Sequence, residues 1–144
     1  MLPPMLVTTH RNHQACAKPG ADLSMVAGEF LEVYGGKQHE GAWDAVVTCF
    51  FIDTAPVVFD YIDLIWRLLR PGGVWINLGP LLYHWAALPR GEEEEDEGVD
   101  SRYLQSVELS YQEVRHAVVA TGFSIAHEAI HRSPYASNRL SLMK

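Results

Sequence analysis

The amino-acid sequence predicts an α/β chain, the second half of a doubly wound domain built on a parallel sheet. Three observations carry that expectation. An apolar run from Ala45 to Ile52 stops at Asp53, a helical pattern follows and is closed by Arg70-Pro71-Gly72-Gly73, and a second apolar run then covers Val74 to Leu78. Strand, helix and strand in that order form a parallel crossover unit, because parallel neighbours need a long connection. In open α/β sheets, ligands bind beyond the carboxyl ends of the strands. The rule points to Asp53 after the first strand and to Gly79-Pro80-Leu81-Leu82-Tyr83-His84 after the second.

Each element has its own signal. Leu6 to Thr9 reads as the end of a strand, and the pattern from Asp22 to Tyr34 places a short helix over Phe30 to Tyr34. Gly35 to Ala42 is a polar connector. In the crossover helix, Val58, Tyr61, Ile62, Ile65, Leu68 and Leu69 recur at helical spacing and form one apolar stripe. Asp60 and Asp63 come early and Arg67 and Arg70 late, as the helix dipole favours. Pro56 suits the first turn, where its missing N–H costs nothing. Trp66 and Trp75 read as core. Residues 85–105 read as a mobile acidic loop around Glu92 to Glu97, since so many adjacent carboxylates resist burial.

Ser110-Tyr111-Gln112-Glu113 has the spacing of a capping box, and Gly122 suits the end of the helix it starts. Val114, Ala117, Val118 and Thr121 share one face of that helix. Phe123 to Ala129 alternates as a half-buried strand would, and Leu140 to Met143 looks like the start of another strand. Both chain ends therefore read as cut, with no glycine-rich turn among residues 1–40.

Composition narrows the function classes. A net charge of −7 with no Lys/Arg cluster disfavours a nucleic-acid partner. No uncharged apolar stretch approaches the roughly 18 residues a membrane span needs. Cys16 and Cys49 form no CxxC pair, and the seven histidines are scattered, so no metal is expected. Unpaired cysteines and the lack of a secretion signal favour a cytoplasmic location, with the nucleus as a second one.

The segments CFFIDTA (49–55), LRPGG (69–73), WINLGPLLYH (75–84) and ELSYQEV (108–114) together resemble the carnosine N-methyltransferase family. The resemblance runs from about Gly20 to Lys144 apart from the acidic loop. It implies the carboxyl-terminal half of a class I, Rossmann-like methyltransferase domain. It also implies S-adenosylmethionine as methyl donor and transfer to the histidine imidazole of carnosine, a dipeptide, to form anserine. Residue by residue, Glu29 and Phe30 match the acidic-aromatic pair that approaches the cofactor adenine. Cys49 matches a cofactor-lining cysteine. Asp53, His84 and Tyr135 match residues around the substrate imidazole. The family's glycine-rich loop, its ribose-binding acid and its upstream Gln/Arg contacts have no counterpart here.

Each residue also has a plainer reading. Asp53 fits an N-cap or first-turn residue of the next helix. His84 and Tyr135 fit loop or packing positions, Cys49 an inert buried cysteine, and Glu29-Phe30 a helix start. Two rival functions stay open beside carnosine methylation. One is histidine methylation in peptides or proteins, with the same site behind a wider entrance. The other is a non-catalytic fragment that at most binds a partner. A homodimer is a further expectation.

Overall fold

The computed structural model describes residues 24–86 and 100–131. Leu6 to Thr9, Cys16, the Glu92 to Glu97 run, Tyr135 and Leu140 to Met143 lie outside them. The described elements run α1 (Phe30–Tyr34), β1 (Trp43–Cys49), α2 (Val58–Leu68), β2 (Leu69–Leu78), α3 (Ser101–Gln105) and α4 (Tyr111–Thr121), with short 3-10 turns at Lys37–His39 and Ile52–Thr54.

β1 and β2 pair in parallel, with Ala45, Val47 and Cys49 opposite Val74, Ile76 and Leu78. One face of this pair is covered. Val46 and Trp75 pack against a core built from α2, in which Tyr61, Leu64, Ile65 and Leu68 are buried. Val58 and Ile62 of the same helix meet Val114 of α4, with Ala117, Val118 and Phe123 alongside. α2 thus sits between α1 and α4 and lies over the sheet. Among the described residues, none covers the opposite face. Val47, Val74, Ile76 and Leu78 are each more than half exposed. The architecture is therefore mixed α/β with a two-stranded parallel sheet among the described residues.

Several boundaries differ from the sequence reading. β1 ends at Cys49, because Phe50 turns into the left-handed region at φ 50° and Ile52 enters the 3-10 turn. α2 ends at Leu68, two residues short of the basic end of its pattern. Leu69 is already extended, and a residue before proline, here Arg70, disfavours helical backbone. Arg70-Pro71-Gly72-Gly73 consequently bulges out of β2 opposite Asp44, and Arg70 reaches the Asp44 carboxylate at 2.6 Å. Pro56 precedes the helix, whose N-cap is Val57.

Two further expectations change. Trp66 is 43% exposed and rests edge-on against Phe123 at 4.9 Å, so it borders the core without entering it. Phe123 to Ala129 has the alternation of a strand but no ladder partner among the described residues, and a strand needs one to exist. The flanks of the 85–105 loop are built: Trp85 is buried, and α3 closes the segment with Asp100 as its N-cap. The capping box on α4 forms as expected, with Ser110 and Glu113 each bonding the other's backbone N–H, and Gly122 ends the helix at φ 125°.

Candidate functional site

The site lies at the carboxyl ends of β1 and β2, where the two strands release their chains into loops. Gly79 lets those loops meet. A Cβ there would stand 2.9 Å from Phe50 Cα, so only glycine permits this approach. Phe50 N–H then donates to the Leu78 carbonyl at 2.7 Å, extending the parallel ladder by one bond past Cys49.

Asp53 sits in the 3-10 turn just beyond, 1% exposed. Its Oδ2 accepts the Leu82 backbone N–H at 3.1 Å, and its carbonyl accepts His84 N–H at 3.0 Å. Asp53 is thus not the cap of α2, whose N-cap is Val57 and lacks a side-chain bond. It is a buried carboxylate aimed by the loop after β2. A buried charge is costly unless hydrogen-bonded, so the Leu82 amide is part of what holds it there.

His84 enters the same site through its backbone, and its side chain is exposed. Tyr83 between them takes the left-handed backbone at φ 43°. Its ring is buried, and its hydroxyl donates to the Leu109 carbonyl at 2.6 Å, which ties this loop to the start of α4. Burial raises the Tyr83 phenol above its ordinary range. The structure therefore brings Asp53 and His84 together, while Tyr135 lies outside the described residues.

Sequence reasoning missed the supports. Thr54 donates its hydroxyl to the Phe51 carbonyl at 2.6 Å, and its own carbonyl accepts the Trp85 indole N–H at 2.8 Å. Tyr61 of α2 stands beside Thr54 and Glu29, and burial pushes its phenol up to about 12 against the lowering pull of the Thr54 hydroxyl. Trp85 is covered by the Arg102 guanidinium, 4.0 Å from its ring centre, and meets Tyr103 edge-on at 4.9 Å. Arg102 is paired with Asp100, which holds the Asp100 carboxyl at about 2. The one legible signal was an aromatic residue immediately after His84.

The residues expected to meet a cofactor divide. Cys49 is exposed at the end of β1, contrary to a buried inert thiol. Glu29 caps α1 through Glu32 N–H at 2.9 Å and rims a cleft of about 190 Å³ shared with Asp60, Tyr61, Trp85 and Arg102. Glu29 offers the cleft a carboxylate that could accept from an amine or hydroxyl, and Cys49, which does not line that cleft, is an accessible strand end. Phe30 is not accessible, since its ring is buried between Tyr34, Phe51 and Tyr61.

Comparison with known proteins gives a consistent answer. The family model for carnosine N-methyltransferase matches residues 6–144. The chain is 46% identical over 128 residues to the carnosine N-methyltransferase of Mus musculus, covering 88% of this chain and 28% of that protein. It is 39% identical over 126 residues to that of Dictyostelium discoideum (88% and 23%) and 37% identical over 123 residues to that of Schizosaccharomyces pombe (85% and 32%). It thus spans less than a third of the length of these relatives. With the family model covering all but the first residues, the chain belongs to the carnosine N-methyltransferase family.

Proposed function

We propose that this chain carries the substrate-holding half of a class I, Rossmann-like methyltransferase that methylates the histidine imidazole of carnosine to form anserine. The observation that carries the proposal is Asp53: a buried carboxylate at the carboxyl end of β1, fixed by the Leu82 amide, with His84 beside it. The family's name supports the substrate, and S-adenosylmethionine is the donor that fits such a transfer. Glu29 and Cys49 would hold that donor, and its contribution is an electrophilic sulfonium methyl.

The chemistry left to the protein is placement. A neutral imidazole is already a competent nucleophile at whichever nitrogen bears the lone pair. Asp53 accepts the N–H of the other ring nitrogen, which leaves the lone pair on the attacking one and stabilises the charge that develops on the ring. A bound donor would supply the methyl and keep the sulfur's electron pair, while Asp53 holds the ring N–H whose proton passes to solvent once the ring is methylated. His84, exposed and next to Asp53, orients the substrate's other polar groups.

Calorimetric titration of the chain with carnosine tests this reading. Saturable binding is expected, weakened at least tenfold by Asp53→Asn, because an amide bonds the ring without its charge. Carnosine affinity that is equal in the two proteins would remove Asp53 from the site. A parallel titration with S-adenosylhomocysteine tests the donor.

A further inference from the structure

We infer that Trp85 is the positioning residue for Asp53, transmitting the docking of α3 to the direction of the carboxylate; this rests on the function proposed above. Three consecutive polar groups of the turn are held by one short stretch after β2. Leu82 N–H takes the Asp53 carboxylate, His84 N–H takes the Asp53 carbonyl, and the Trp85 indole takes the Thr54 carbonyl. The first two donors are backbone amides, which any residue but proline supplies. The third is a side chain.

The indole has little freedom. Its ring is 8% exposed, with Arg102 over one face and Tyr103 against it. Arg102 is in turn held by the cap of its own helix, with Nε 2.9 Å from Asp100 Oδ1 and 3.0 Å from Oδ2. An indole N–H aimed in this way fixes the Thr54 carbonyl, in the peptide that follows Thr54, next along the turn from the Asp53 carbonyl that His84 N–H holds. Small displacements of a binding group carry large penalties in a reacting geometry. Trp85 touches neither reacting atom in this scheme and acts through Asp53.

The test separates the indole N–H from the bulk of the ring. Trp85→Phe keeps the ring packing and removes the donor, leaving the Thr54 carbonyl without its partner. Amide exchange is read at Leu82, a residue 60% exposed whose N–H is protected by Asp53, and at His84. The expected result is exchange about tenfold faster at both, with carnosine affinity falling by a similar factor, the scale of one buried bond lost. Unchanged exchange at Leu82 and His84 overturns the inference. Should Trp85→Phe not fold, Arg102→Met carries the same test by freeing the ring, and unchanged exchange at Leu82 overturns the inference there too. If the unaltered chain binds no carnosine, the functional reading fails, while the exchange measurement still decides what Trp85 does to Asp53.

Discussion

At the scale of the residue, Asp53, the proposed holder of the imidazole, is also part of the molecule's stability. Replacing it with alanine leaves the Leu82 N–H without a partner, a loss of about 1–3 kcal/mol. Asparagine keeps an oxygen for that amide, so Asp53→Asn is expected to unfold within about 1 kcal/mol of the unaltered protein. Urea denaturation of the two variants checks this: equal losses would mean that the Leu82 bond contributes nothing. The position of Asp53 was legible, since it ends an apolar run and the end of a parallel strand is where ligands collect. Its orientation was not. The partner is a backbone amide 29 residues away, and no side-chain pattern records where an amide points. Trp85 does start a loop, but its burial and its bond to Thr54 were not legible for the same reason. Its partner is a carbonyl, and its covering cation lies beyond the acidic run.

At the scale of the element, α2 and α4 were the most legible parts. An apolar stripe and a capping box are local signals, and local contacts satisfy them. Their ends were less so: the left-handed Phe50 and the extended Arg70 depend on Gly79 and Pro71, residues that act through sterics at a distance or on their predecessor. α3 had no signal of periodicity at all, being a single capped turn held by Trp85. Its cap makes it acid-sensitive. The Asp100 carboxyl titrates near 2, below its ordinary 3.8, because of its bonds to Arg102. A depressed carboxylate lends its stability above the unfolded value and loses it as pH falls toward the folded one. The protection of the Arg102 amide relative to its intrinsic exchange rate, its N–H lying 3.0 Å from Asp100 Oδ1, should therefore be unchanged from pH 7 down to about 4 and fall between about 4 and 2. Protection that stays constant to pH 2 would separate the cap from the stability of α3.

At the scale of the whole molecule, the described residues cover the sheet on one face and leave the other exposed. Parallel sheets are ordinarily buried on both faces. The rows Ala45, Val47, Cys49 and Val74, Ile76, Leu78 belong to runs that are apolar apart from Thr48 and Asn77. That is the signature of a strand meant for two-sided burial, and one side is realised among the described residues. The exposed rows are expected to drive concentration-dependent association of the isolated chain. Ile76→Lys, at a position 54% exposed, should reduce that association with helix content unchanged. Sedimentation velocity against protein concentration checks it, and an unaltered mass distribution would show that the chains meet through another surface.

The bond from Leu82 to Asp53 has one more consequence, for the tolerance of the chain to change. What Leu82 supplies to the site is its peptide nitrogen, and its side chain stands largely in solvent. Position 82 is therefore free in identity and strict in one respect: nineteen amino acids carry the hydrogen that aims Asp53, and proline alone lacks it. A saturation library at this codon would accept almost every letter and reject one, beside a position 79 that accepts only glycine.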